Sequence, residues 1–95
     1  MTWHDLTKGE QSTLVSIGLE GRKRLHHENE RGLSLLEKGL TVVVAEADTF
    51  ITYTLMEAGR QVLLDAPTAT GADIFPLSSH MEEVKRLLRS ANEKP

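Results

Sequence analysis

Apolar positions along the chain change rhythm four times, and each change predicts an element. Leu14, Ile17 and Gly18 fall on one face, with Val15 beside them, the spacing of a helix packed on one side. This helix is predicted over roughly residues 8–19. A polar stretch follows, Gly21 to Arg31, in which Leu25 is the single apolar anchor. It reads as a short second helix or a tight connection, leading into a third helix over roughly 28–38. One continuous helix over 22–38 fits equally well, because Leu25, Leu33 and Leu36 share a face in either case. From Leu40 to Ala45 the chain is β-branched and apolar, the composition of a strand. From Phe50 to Leu55 it alternates, with Ile51, Tyr53 and Leu55 on one face and Thr52 and Thr54 on the other. Glu46-Ala47-Asp48 supplies the turn of an antiparallel hairpin between them. Ala58, Val62 and Leu63 predict a short helix over about 56–64. Met81, Val84, Leu87 and Leu88 form one stripe of a longer helix over about 80–91.

Local punctuation supports these boundaries. Thr7-Lys8-Gly9-Glu10 has the form of a capping box, as do Thr54 to Glu57 and Ser79 to Glu82. Gly21 and Gly39 are placed to end helices. Gly9 and Gly18 each lower helix propensity by about 1 kcal/mol relative to Ala, so the first helix depends on tertiary packing. Asp65 to Asp73 is small, polar and broken by Pro and Gly, which predicts a loop, and Ile74-Phe75-Pro76-Leu77 is a short apolar patch expected to dock on the body.

The 95 residues suffice for one small domain, with 39% hydrophobic and 26% charged residues, as in ordinary globular proteins. No cysteine is present, so neither a disulfide framework nor a cysteine metal site can form. The N-terminus lacks the pattern of a signal peptide, and no apolar run approaches the length of a membrane span, so a cytoplasmic protein is expected. The net charge of −3 changes the picture through its distribution. Residues 21–39 carry +2, whereas residues 1–20 carry −2, residues 40–66 carry −3 and residues 67–95 balance. The basic density therefore lies just ahead of Gly39.

Two runs carry a resemblance. Leu36-Glu37-Lys38-Gly39-Leu40 and Tyr53-Thr54-Leu55-Met56-Glu57-Ala58-Gly59-Arg60, with Leu6-Thr7 before the first helix, resemble the winged helix-turn-helix regulators over about residues 6–66. In that family the first run ends the recognition helix and the second closes the wing. The resemblance implies an α+β fold: a winged helix-turn-helix with three N-terminal helices, a two-stranded β-hairpin wing, and one short and one longer C-terminal helix. Residues 1–66 would form the winged domain. Residues 67–95 would form a linker and an amphipathic helix that packs on the body or makes a dimer seam. Family members carry Thr at the position of Met56, so the cap of the following helix falls to Thr54 or is lost. The hairpin tip Ala45-Glu46-Ala47-Asp48 is acidic where a DNA-contacting wing carries Arg or Lys, so the wing is not expected to touch DNA.

The candidate contact residues are Arg22, Lys23, Arg24, His27, Asn29 and Arg31. Arg22, Lys23 and Arg24 suit phosphate, while Asn29 and Arg31 at the start of the recognition helix suit adenine and guanine edges. A solvated charged surface is the plain alternative. His26-His27-Glu28 does not have a chelating spacing on a helix, where adjacent side chains diverge by about 100°. No nucleophile elbow or phosphate loop appears, so no catalysis and no cofactor are expected. Met81, Val84, Leu87 and Leu88 are either the dimer seam or a stripe that packs back on the first helix. The primary expectation is a sequence-specific DNA-binding transcriptional regulator that acts as a homodimer on double-stranded DNA, with its recognition helix in the major groove. The alternative is a winged-helix module that contacts a protein partner, as a small adaptor or inhibitor, through its acidic hairpin and Phe50.

Overall fold

A computed structural model of the chain describes residues 2–66 and 76–93. Among these, a short 3-10 turn, Trp3–Asp5, precedes α1 (Lys8–Glu20), β1 (Arg22–His26), α2 (Glu30–Glu37), β2 (Thr41–Ala47), β3 (Phe50–Leu55), α3 (Glu57–Asp65) and α4 (Pro76–Glu93). The three strands form one antiparallel sheet in the order β1-β3-β2. The fold is therefore α+β, with helices packed on one face of the sheet. No described helix is long and apolar enough to cross a membrane.

Two expectations about architecture are corrected. The region before the hairpin holds two helices, not three, because Arg22–His26 is a strand that pairs with β3. The sheet accordingly has three strands rather than two. Arg22 to His26 alternates between exposed and half-buried positions, and this period of two is what a half-covered strand requires. Leu25 and the aliphatic stem of Lys23 turn inward, while Arg22, Arg24 and His26 turn out.

The helix ends have identifiable causes. Thr7 accepts a hydrogen bond from the Glu10 amide at 3.2 Å, and Glu10 Oε1 accepts one from the Thr7 amide at 2.9 Å, which completes the expected capping box. The end of α2 is a Schellman motif. Leu40 N–H donates to Leu35 C=O at 3.1 Å and Gly39 N–H donates to Leu36 C=O at 3.0 Å. Gly39 sits at φ +78°, a left-handed conformation that costs a side chain dearly and glycine little. Leu35 and Leu40, which the motif brings together, are both buried. At the start of α3, Met56 occupies the N-cap without a side-chain hydrogen bond, and Thr54 donates instead to Gly21 C=O at 2.7 Å. The cap is lost rather than moved.

The core lies between the inner face of the sheet and the helices. Tyr53 on β3 is fully buried with Leu14 and Ile17 from α1, Leu35 from α2, Leu63 from α3 and Val84 from α4. The start of α2 passes close over this face: a Cβ at Gly32 would lie 3.0 Å from both Leu25 Cδ1 and the Tyr53 ring. On the far side, α4 rests against α1 at Gly18, where a Cβ would lie 2.5 Å from Val84 Cγ2. The helix α4 starts at Pro76, ahead of the Ser79–Glu82 cap expected to open it. Asp65, expected in the loop over 65–73, is the last residue of α3, and Ala66 is its buried C-cap. The remainder of the expected loop segment, residues 67–73, and Ile74 and Phe75 lie outside the described residues.

Candidate nucleic-acid interface

The sheet has one covered face and one open face. The register places Arg22 opposite Thr54, Arg24 opposite Thr52 and His26 opposite Phe50, all on the open side. The other edge strand continues the same face with Val42 opposite Thr54, Ala45 opposite Thr52 and Ala47 opposite Phe50. The register slips between Val43 and Ala45, which leaves Val44 as the extra residue of a β-bulge. Val42, Val44 and Phe50 are exposed. None of these outward strand positions is a carboxylate. Glu46 pairs with Ile51 and so belongs to the opposite side, and Asp48 sits in the turn at φ +51°.

The open face is organised around Phe50. The Arg24 guanidinium carbon lies 4.9 Å from the centre of its ring, within range of a cation–π interaction. The His26 ring meets it edge-on, at 6.0 Å and 80°, and the His27 ring lies 4.6 Å from His26. His26 Nδ1 accepts from the Glu28 amide at 3.2 Å, and the His27 amide donates to Thr49 C=O at 2.7 Å, which fixes the end of β1 against the hairpin. The two histidines thus do not sit on a helix and do not diverge as expected. Among the described residues, no group of three His, Cys, Asp or Glu side chains is placed to hold a metal ion.

The remaining candidates separate. Lys23 points the other way from its neighbours and forms an ion pair with Glu20 at 2.7 Å. Asn29 is the N-cap of α2, where its Oδ1 accepts from the Gly32 amide at 3.0 Å. Its side chain is therefore spent on the helix end. Arg31 is exposed, but its guanidinium lies toward the N-terminal end of α1, beside Gly9. The outward face of α2 carries Glu30, Leu33 and Glu37 besides Arg31. Leu33, expected on the packed face, is 41% exposed.

The carboxylate of Glu10 holds α2 from behind. It accepts from Lys38 Nζ at 2.7 Å and from the Ser34 hydroxyl. These bonds, with that from the Thr7 amide, hold its carboxyl down at about 2. On α4, Met81, Val84 and Leu88 are buried against their own chain, and Leu87 alone of the expected seam is exposed. Lys85, also buried, donates to the Ala66 carbonyl at the end of α3. A hollow of about 480 Å³ beside Trp3, Leu40 and Val62 shares no residue with the open face of the sheet.

Phe50 and Thr52, which complete the face, were not among the residues the sequence singled out for nucleic acid. The alternation of 50–55 sets Thr52 and Thr54 on one face, but it does not show which strand lies beside them. No protein-family model, curated protein or solved structure matches the chain.

Proposed function

We propose that the protein binds nucleic acid through the open face of its sheet, on a body of winged-helix type. The observation that carries this reading is the outward row Arg22, Arg24 and His26 on an edge strand whose face holds no carboxylate. Phosphate contacts supply most of the affinity of such proteins, and they need cations that are exposed and unpaired by neighbouring acids. The winged-helix body is supported by α2 ending at Gly39, by the β2–β3 hairpin, and by the return through Tyr53 into α3. The proposed contact differs from the family expectation in one respect. It is carried by β1, because α2 turns Glu30 and Glu37 outward and Asn29 caps its own helix. A regulatory role on DNA, with a homodimer as the active form, would follow from the family resemblance.

The test is a titration of a labelled mixed-sequence oligonucleotide, in duplex and single-stranded form, at low and moderate salt. Arg22→Ala with Arg24→Ala should lower the slope of log K against log salt by about two. Lys23→Ala should leave it near the wild-type value, because Lys23 faces Glu20. Absence of binding to either form at low salt would overturn the reading.

A second reading has its own observation. Val42, Val44 and Phe50 are each 36–41% exposed on the same face, which suits a protein contact. Under that reading the face engages the protein partner of a small adaptor or inhibitor, with the exposed Asp48 in the adjoining turn.

A further inference from the structure

The open face carries more than positive charge. Phe50 opens the central strand at the hairpin end of the face, between His26 and Ala47, and is 39% exposed although it is large and apolar. Its ring is held in place by the Arg24 guanidinium at 4.9 Å and by the edge of His26 at 6.0 Å. A ring fixed in this way is a platform on which a planar group can stack with little loss of side-chain freedom. The Arg24 guanidinium is itself a second planar surface of the kind on which bases stack.

We propose that this face binds single-stranded nucleic acid, with a base stacked on the Phe50–Arg24 platform and the backbone tracking Arg22 and Arg24 along β1. The inference rests on the nucleic-acid reading above and specifies its substrate.

Shape argues against a duplex. Three strands at a spacing of about 4.8 Å make a platform about 10 Å across before side chains are added. The major groove, about 12 Å wide, admits a helix or a two-stranded ribbon. A duplex also keeps its bases stacked inside, so Phe50 would meet no base. A single strand offers unstacked bases and one backbone, which one basic edge strand can follow.

Charge argues the same way. The elements that would lie against the rest of a duplex are acidic or apolar. The other edge strand turns Val42, Ala45 and Ala47 to this face, and the acidic Asp48 sits in the hairpin turn. On the open face of the sheet the cations lie in one narrow row on β1. That row matches the charge of a single backbone running past an aromatic ring, the arrangement by which proteins hold single strands without reading sequence.

The test is fluorescence anisotropy with a labelled mixed-sequence 12-nucleotide strand and with its duplex, at matched salt. Wild type, Phe50→Ala, Phe50→Trp and the Arg22→Ala/Arg24→Ala double variant are compared, with circular dichroism to verify folding. The single strand should bind about ten-fold or more tightly than the duplex. Phe50→Ala should weaken the single strand about ten-fold with an unchanged salt slope, and Phe50→Trp should retain wild-type affinity. The double arginine variant should lower the slope. Duplex binding as tight as single-strand binding, or indifference of the single strand to Phe50→Ala, overturns this inference and leaves the nucleic-acid reading standing. Absence of binding to both forms overturns that reading and this one together. A labelled acidic peptide that then binds, and is released by Phe50→Ala, assigns the face to a protein.

Discussion

Lys38 at the end of α2 donates a hydrogen bond of 2.7 Å to the carboxylate of Glu10 on α1, across 28 residues of chain. The same carboxylate accepts from Ser34 and completes the α1 capping box with Thr7. One buried acid therefore closes a helix start and fixes α2 against α1. The position of α2 in turn sets the Gly39 corner and the hairpin that carries Phe50.

This network gives a pH dependence with a definite sign. The Lys38 hydrogen bond, then those from Ser34 and the Thr7 amide, lower the Glu10 carboxyl from 4.5 to about 2. Between those values the unfolded chain binds a proton that the folded protein does not. The contribution of Glu10 is thus present in full above about 4.5 and is lost as the pH falls through about 2. Glu10→Gln should cost about 2 kcal/mol at neutral pH and flatten the acid limb of the stability curve, as read by urea unfolding between pH 2 and 7. An acid limb identical to that of the wild type would show that other carboxylates dominate it.

Gly59 should resist even the smallest substitution. A Cβ at this position runs into the Leu40 carbonyl oxygen, which also accepts from the Met56 amide at 2.9 Å. Alanine normally gains about 1 kcal/mol over glycine in a helix. Here the collision between the first turn of α3 and the start of β2 should reverse the sign, and Gly59→Ala is expected to destabilise by about 1–3 kcal/mol in thermal or urea melts. A stabilised variant would show that α3 can shift away from the hairpin.

The stripe on α4 divides by burial. Met81→Ala should cost about 2–4 kcal/mol, because Met81 is 3% exposed within its own chain. Leu87→Ala, at a position 38% exposed, should change stability by no more than about 0.5 kcal/mol. If these residues instead met a second copy, the melting temperature would rise with protein concentration and Leu87→Ala would abolish that rise.

The legible part of the fold was the part written in large apolar periods and strong punctuation. The Thr7–Glu10 box, the Gly39 corner, the alternation around Tyr53 and the stripe at Met81 and Val84 all carry such signals, and each element they predicted is present. The strand β1 was not legible in this way. It has five residues, one apolar anchor in Leu25 and no β-branched residue, so it resembles a solvated helix turn. Its inward position at 23 is filled by the aliphatic stem of a lysine, which hydropathy counts as polar. Because this segment is a strand, the basic run lies on a sheet face and not on a helix or a tight connection. Missing the strand also hid the roles of Lys23 and Asn29. Lys23 pairs with Glu20 three residues back, and Asn29 caps a helix that starts at Glu30 instead of about 28. The sequence marks Phe50 as a candidate protein contact on the hairpin, but its place beside Arg24 depends on the β1–β3 register, which no local pattern encodes.

The most direct test of the account is to map the contact surface itself. Backbone amide shifts would be followed by NMR as a mixed-sequence oligonucleotide is added at low salt. The account predicts that the largest changes fall on Arg22, Arg24, His26, Phe50 and Thr52, with α2 quiet at Leu33 and Glu37. Changes centred on Arg31, Leu33 and Glu37, with the outer strand positions unmoved, would contradict it and return recognition to the helix.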